Sequence, residues 1–308
     1  MRIVSLLPSG TELACALGLR EQLVGVSHEC DYPADVKGLP KLTSSILDSA
    51  LTPAEIDKAV AAASLDRRPI YAVDGTLLNS LKPDLILTQG VCAVCAVTPE
   101  TIAEGLELVR LQDSCTAPVL SLSAVSTGGV FRDLQAIAQA TGTESQAEAL
   151  ITGLETRLAA LGDLPAPLQF GDGAKVLMLE WPDPPWSGGH WVPEQVAAAG
   201  GIPLFGGPGD NSRRLSWEEI QEADPDVIIA SACGFGLQEN LTHARKLLDH
   251  PVLGQLRAVQ AGNFWAADSN SYFSRPAPRI VDGAELIRGI LDGQPAEPTQ
   301  AVRVLAKG

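Results

Sequence analysis

Short apolar runs alternate with helix-start signals along this chain, and the whole alternation occurs twice. In the first half, residues 2–7 read as a strand entering Pro8-Ser9-Gly10-Thr11-Glu12. Ser9 followed three residues later by Glu12 has the spacing of a capping box, so a helix is expected to begin there. It carries Leu13, Ala16 and Leu17 on one face and stops at Gly18. A strand over 23–27 comes next. Thr52-Pro53-Ala54-Glu55 combines a cap, a proline at the first helical position and an acid at the third, which predicts a second helix. A short helix is expected over 77–81. Lys82-Pro83-Asp84 then leads into Leu85-Ile86-Leu87-Thr88, apolar on both faces as a parallel strand covered by helices must be. Thr98-Pro99 predicts another helix start, and 119–122 the next strand.

The second half repeats the plan. A strand is expected over 175–180 and a helix over 193–199, closed by Gly200-Gly201. Ser216-Trp217-Glu218-Glu219 is a second capping box. Asp224-Pro225-Asp226 leads into the apolar strand Val227-Ile228-Ile229-Ala230, echoing Lys82-Pro83-Asp84. A strand over 263–267 and a closing helix over 279–291 complete it. Alternating strands and helices make this an α/β chain with mostly parallel sheets and right-handed crossovers, in two Rossmann-like lobes.

Between the halves, 129–161 reads as helical, interrupted near Gly142. Leu150, Ile151, Leu154, Leu158 and Leu161 hold helical spacing. About 18 helical residues span ~27 Å, enough to join two lobes; the alternative is an ordinary crossover helix. The expected organisation is an N-terminal lobe over 1–126, a helical linker over 127–162 and a C-terminal lobe over 163–308.

Length and composition fit this plan. The chain has 308 residues, 45% of them hydrophobic, sufficient for about two domains. The net charge is −15, from 37 acidic and 22 basic residues. That balance, without a Lys/Arg cluster, argues against a nucleic-acid partner and against anionic membrane surfaces. An apolar run of the ~18 residues needed for membrane insertion is missing. Met1-Arg2 enters the first strand at once, with no basic, apolar and small-residue leader ahead of it. The expected location is therefore the cytoplasm, the alternative being an exported protein represented without its leader. Six cysteines scattered through a chain of this size suit a reducing compartment.

Several segments resemble a known family. They are Ile3-Val4-Ser5-Leu6-Leu7-Pro8-Ser9-Gly10-Thr11-Glu12, the turn Asp31-Tyr32-Pro33, Leu81-Lys82-Pro83-Asp84-Leu85-Ile86, and Ser274-Arg275-Pro276-Ala277-Pro278-Arg279-Ile280. In this order they resemble the cobalamin-binding proteins of bacterial ABC importers, within a superfamily that also binds haem and ferric siderophores. The resemblance implies a class III periplasmic-binding-protein architecture, two lobes on one long backbone helix. It implies non-catalytic binding of cobalamin or a related corrinoid in the cleft between lobes, as importer receptor or cytoplasmic carrier. It also implies docking on an ABC permease through one acid per lobe. Glu218 stands where the second-lobe acid is expected, and Asp74 stands near the first-lobe position. Tyr32 matches the family's aromatic ligand contact and Arg275 its cleft arginine. Gln89 occupies the position of a family tryptophan, so the pocket is not a copy.

In open α/β sheets, ligands bind beyond the carboxyl ends of the strands. Those ends collect Ser9; His28, Glu29, Cys30 and Tyr32; Gln89 and Cys92; the segment 181–191; Phe235; and Tyr272, Phe273 and Arg275. The segment 181–191 is the most unusual, with Trp181, Trp186, His190 and Trp191 among prolines and glycines. Its indoles offer ~150–250 Å² each. Trp186 and Trp191 are expected against the corrin face or edge, Arg275 as donor to its amides and phosphate, and His28 is a candidate axial ligand to cobalt. Plain alternatives stand beside each: packed loop tryptophans, a salt-bridged arginine, a hydrogen-bonding histidine.

Cys92-Ala93-Val94-Cys95 admits a thiol-based metal or redox centre with Cys30. A structural zinc site normally brings a second pair, and none is spaced correctly; inert buried thiols are the competing reading. Enzyme motifs are wanting: no GxSxG elbow, P-loop or HExxH occurs. Gly206-Gly207-Pro208-Gly209 lacks the lysine of a phosphate cradle. The ligand alternatives are haem or a ferric chelate on the same scaffold.

Overall fold

A computed structural model describes residues 1–48, 51–66, 69–90, 102, 116–162, 173–294 and 296–305. The chain forms two compact units: Met1–Ala124 with Gly128–Thr152, and Val125–Thr127 with Gly153–Gly308.

Unit one is built on strands β1 (Ile3–Ser5), β2 (Leu23–Val26), β5 (Leu85–Gln89) and β6 (Val119–Leu122). They form a four-stranded sheet in the order β2-β1-β5-β6, parallel throughout. The apolar run of β5 pairs with β1 through Val4↔Ile86 and Ser5↔Leu87, and Leu85 to Thr88 are all buried. Helices α1 (Pro8–Ala16), α2 (Pro53–Leu65) and α3 (Gly75–Leu81) begin near their expected starts with one correction. Proline has no N–H to leave unpaired and its fixed φ suits the first helical position. Pro8 therefore starts α1, and Leu7 becomes its N-cap without a side-chain cap. Ser9 and Glu12 lie inside the first turns, 4% exposed each, and do not form the expected capping box. The inward face carries Leu13 and Ala14, with Leu17 as C-cap, while Ala16 is exposed. By contrast Thr52 and Glu55 close a complete capping box on α2.

A small antiparallel pair, β3 (Thr43–Ser45) with β4 (Tyr71–Val73), is an addition to the expected plan. The helix expected at Thr98-Pro99 lies outside the described residues, as do Cys92 and Cys95.

Helices α4 (Thr127–Thr141) and α5 (Glu144–Gly162) are separated at Gly142, which takes φ +71°. α5 has 19 residues, and the boundary between the units falls within it.

Unit two has a six-stranded mixed sheet. Its strands are β7 (Ala174–Pro182), β8 (Pro185–Ser187), β9 (Gly201–Pro203), β10 (Val227–Ala230), β11 (Phe264–Ala267) and β12 (Ala301–Arg303). The order is β12-β11-β10-β7-β8, with β9 also on β7. β7, β9, β10 and β11 run parallel, while β8 and β12 add antiparallel edges. The helices are α6 (Val192–Ala198), α7 (Trp217–Ala223), α8 (Leu237–Leu247), the one-turn α9 (Arg257–Gln260) and α10 (Ser269–Tyr272), and α11 (Ile280–Leu291). Ser216 and Glu219 form the expected capping box on α7. Leu177, Ile228, Phe264 and Ala266 of the sheet pack with Leu237, Leu241 and Ala244 of α8 in one core.

Candidate functional site

In unit one, the loop after β2 is fixed beside the end of β1 by Ser27 N–H donating to Ser5 O (2.9 Å). Thr43 of β3 organises the start of that loop. Its hydroxyl donates to Ser27 Oγ (3.1 Å), accepts from His28 N–H (3.0 Å) and lies 2.7 Å from His28 Nδ1. A hydroxyl has one proton, and Thr43 gives it to Ser27. With that proton spent, the contact suits Nδ1 as the donor, and in that tautomer of the neutral ring the lone pair is on Nε2. Tyr71 of β4 lies 5.6 Å from the His28 ring and donates its hydroxyl to Glu29 Oε1 (3.0 Å). Tyr32 is 48% exposed, and Gln89 is half-buried at the end of β5. The loop therefore presents His28, Glu29 and Tyr32 together, with Thr43 and Tyr71 as supports that the pattern of the sequence alone does not reveal. Ser9 is enclosed in α1 and offers no open hydroxyl.

Cys30 is 2% exposed, its Sγ 3.1 Å from Thr11 Oγ1. Burial pushes the neighbouring Cys15 thiol up to about 11. Among the described residues, no group of three or more His, Cys, Asp or Glu side chains is arranged to hold a metal ion.

Unit two gathers three loops. Ser231 N–H and Cys233 N–H donate to Leu179 O (2.9 Å) and Glu180 O (3.1 Å), laying the loop after β10 along the end of β7. Ser269 Oγ donates to Ser231 O (2.8 Å), and Asn270 N–H to Phe235 O (3.3 Å), so the loop after β11 joins them. On this platform Trp181 stacks on Phe235 (5.4 Å) and Phe235 on His243 of α8 (5.1 Å). Trp181 and Phe235 are both partly exposed. The result is a continuous aromatic shelf. Burial holds the His243 pKa below its ordinary value, which favours the neutral ring. His243 is a shelf member that the strand-end rule misses, because it comes from a helix.

Trp186 pairs with Trp181 across the β7–β8 hairpin. Trp191 behaves differently: it is 7% exposed and donates its indole N–H to Phe273 O (2.9 Å), with Phe273 itself buried. These two rings support the loop from within. His190 takes φ +57° and exchanges backbone bonds with Asp210 and Gly209. Gly189 is where backbones approach closely, since a Cβ there would lie 2.2 Å from Ser212 N. Tyr272 lines a cleft of about 360 Å³ beside α11, together with Asp282 and Glu285, the two acids that grip Arg157 of α5 at 2.5 Å each. Arg275 is partly exposed in the segment that follows α10, three residues beyond Tyr272.

Asn240 of α8 is the main positioning residue of the platform. It is 1% exposed; its Oδ1 accepts Ala232 N–H (2.9 Å), and its Nδ2 donates to Ala267 O (2.9 Å) and Phe235 O (3.2 Å). A signal for it exists in the sequence: Asn240 sits in the apolar stripe of Leu237, Leu241 and Ala244.

Glu180 clamps two further segments, accepting from Gly189 N–H (3.2 Å) and from Ser212 Oγ (2.9 and 3.0 Å). Burial raises its pKa above the ordinary carboxylate range, and these hydrogen bonds only partly oppose that. A carboxyl whose pKa is raised on folding stabilises the protein while protonated, and that contribution is lost as pH climbs from about 4.3 through the raised value. A Glu180→Gln protein keeps an acceptor and cannot ionise. In urea titrations it is expected to be more stable than the parent at pH 7, the gap closing towards pH 4. A gap that widens on acidification would contradict the assignment.

The docking candidates differ in setting. Asp74 caps α3, its Oδ1 accepting Leu77 N–H (2.9 Å). Glu218 is exposed at the second position of α7, beside the capping Glu219.

Among known proteins, a family model described as periplasmic binding protein matches residues 3–271. The chain is 25% identical over 183 residues to an uncharacterized ABC transporter substrate-binding lipoprotein, YvrC, of Bacillus subtilis, covering 59% of this chain and 48% of that protein. It thus spans about half the length of that relative. It is 23% identical over 291 residues to a vitamin B12-binding protein of Vibrio cholerae, covering 93% of this chain and 87% of the other. Among solved structures, the periplasmic vitamin B12 binding protein BtuF of Vibrio cholerae superposes with TM-score 0.60 and 21% identity, covering 94% and 96% of the two chains. The periplasmic heme binding protein HutB of the same organism gives 0.69 and 23%, covering 94% and 98%. Likeness at this level carries the fold.

Proposed function

Because this chain belongs to the periplasmic binding protein family, we propose that it is a non-catalytic receptor for cobalamin or a related corrinoid. The carrying observation is the aromatic shelf of unit two, formed by Trp181 at the end of β7, Phe235 in the loop after β10 and His243 of α8. A corrin is flat, large and edged with amides, and flat rings with a few polar groups are what such a ligand needs. A vitamin B12-binding relative aligned over 93% of this chain supports the same ligand. The candidate contact residues of unit two are Trp181, Trp186, Phe235, Tyr272 and Arg275; taken by itself, unit one offers His28, Glu29, Tyr32 and Gln89 on its own strand-end loops. Ser9, His190, Trp191 and Phe273 position the loops.

The second reading is haem or a ferric chelate. It is favoured by the higher TM-score of the heme-binding neighbour, 0.69 against 0.60. Mixing the protein with each ligand and recording its absorption spectrum after gel filtration separates the two, because haem and corrinoid bands differ. A metal or redox role for Cys30, Cys92 and Cys95 is supported less, since Cys30 is buried against a threonine hydroxyl.

A permease of the ABC type is the proposed macromolecular partner, with Glu218 the contact acid of unit two and Asp74 that of unit one. The family is named for periplasmic proteins and one relative is a lipoprotein, which supports export over the cytoplasm. Among the described residues, no helix is long and apolar enough to cross a membrane.

The lone pair left on His28 Nε2 gives the axial-ligand idea a specific form. A histidine whose other nitrogen donates a hydrogen bond is poised to bind a metal. Aquocobalamin bound to the parent should show a nitrogen-ligated cobalt spectrum that His28→Ala loses. An unchanged spectrum in the variant would remove His28 from the coordination sphere.

A further inference from the structure

The aromatic shelf of unit two leads to a charged edge. Trp186 of β8 pairs with Trp181 of β7, and on its other side Trp186 bridges Arg214 in an antiparallel contact. Ser187 N–H donates to Arg213 O (2.9 Å) and Leu215 N–H to Pro185 O (2.8 Å), flanking that bridge. Trp186 and Arg214 are therefore a non-hydrogen-bonded pair, the arrangement that brings opposite side chains closest. Residues directly opposite across strands share a face. Phe235, Trp181, Trp186 and Arg214 thus follow one another across the strand ends. Adjacent strands are ~4.8 Å apart, so the Arg214 backbone lies ~10 Å from that of Trp181. A macrocycle resting on Trp181 reaches that far with its edge substituents.

Successive side chains of an extended segment point to opposite faces. Arg213 accordingly turns away, its guanidinium meeting Glu219 (3.0 Å) and covering the Phe205 ring (5.1 Å). Arg214 is exposed, and among the described residues its guanidinium has neither an ion pair nor a hydrogen bond. The acids of these segments serve other partners. Glu180 holds Gly189 and Ser212, Asp210 takes the Gly207 N–H, and Glu219 takes Arg213 and the Ser216 N–H. In a chain of 37 acidic and 22 basic residues, Arg214 still stands uncompensated. From this placement we infer that Arg214 is a specificity-determining residue. It binds an oxyanion, phosphodiester or carboxylate, on the edge of a macrocycle whose face rests on the shelf. The inference rests on the macrocycle reading given above. A planar guanidinium presents paired N–H donors that match either oxyanion. A neutral macrocycle gains nothing from it, so Arg214 separates acidic ligands from their neutral counterparts.

The test titrates the full chain, Arg214→Gln and Arg214→Lys with two ligand pairs, followed by absorption and tryptophan fluorescence. Cyanocobalamin carries a phosphodiester that dicyanocobinamide lacks, and haem carries carboxylates that its dimethyl ester lacks. Arg214→Gln should weaken cyanocobalamin about tenfold, the size of a charge-assisted contact at a partly open site, and change cobinamide less than about twofold. Arg214→Lys keeps the charge without the fork and should fall between. Added salt should narrow the gap between parent and Arg214→Gln, since exposed charges are screened. The variants alter an exposed side chain, and unchanged thermal unfolding shows that they fold. The same pattern in the haem pair alone would uphold Arg214, assign the oxyanion as carboxylate and overturn the corrinoid reading. Parent-like binding of both acidic ligands by Arg214→Gln would overturn the Arg214 proposal and leave the macrocycle reading standing. Equal losses for acidic and neutral ligands would also overturn it, since they mark packing and not charge. A parent chain that binds none of the four overturns both.

Discussion

Replacing Asn240 with alanine is expected to cost about 3–5 kcal/mol of folding stability. The side chain makes three hydrogen bonds from a position that is 1% exposed. Truncation strands Ala232 N–H and Ala267 C=O, whose residues are 2% and 0% exposed. Each stranded group costs about 1–3 kcal/mol, and cavity formation adds to that. Asn240→Asp separates the causes. It keeps the acceptor for Ala232 but turns a carboxylate towards two carbonyl oxygens, so it should be no better than alanine at neutral pH. As pH falls, the protonated carboxyl regains one donor and part of the loss returns. Urea unfolding from pH 4 to 8 measures both effects. An alanine variant within about 1 kcal/mol of the parent would mean that water replaces Asn240, against the burial described.

The second large effect is on binding. Trp181→Ala should weaken the corrinoid complex roughly 30- to 100-fold. If the ligand covers ~100 Å² of the indole, at ~25 cal/mol per Å² the loss is about 2.5 kcal/mol, or roughly 70-fold. Buried tryptophan contacts commonly reach that size in recognition sites. Phe235→Ala should cost a similar amount, and the double variant less than the sum. The two rings stack at 5.4 Å, so removing one already disorders the other. Trp181→Phe should recover most of the affinity. Fluorescence titration of the four proteins gives the cycle. Single variants that bind as the parent does would place the ligand elsewhere.

Much of the architecture was legible because hydrophobic runs and helix caps are local signals. Leu85 to Thr88 and Val227 to Ala230 are apolar on both faces and became central parallel strands. Thr52 with Glu55, and Ser216 with Glu219, closed real capping boxes. Pro8 shows where local reading fails: two start signals overlapped, and the fixed φ of proline prevailed over the Ser9–Glu12 spacing. β8 and β12 are three-residue edge strands. Their existence depends on the neighbour they pair with, not on their own pattern.

The site was legible to the level of loops and no further. The strand-end rule found the segments carrying Trp181, Phe235 and His28. Which ring faces outward is set by contacts between distant residues, such as Trp191 with Phe273. Irregular backbone has no period from which side-chain direction can be read. Thr43, Tyr71 and His243 were missed for the same reason: each acts on a neighbour 15, 42 or 8 residues away.

Calorimetric titration of the purified chain with cyanocobalamin, and in parallel with haem, bears on the corrinoid proposal most directly. One corrinoid should saturate each chain with a measurable heat, while haem gives no more than its heat of dilution. Saturation by haem alone would contradict the corrinoid assignment and leave the scaffold to the other macrocycle.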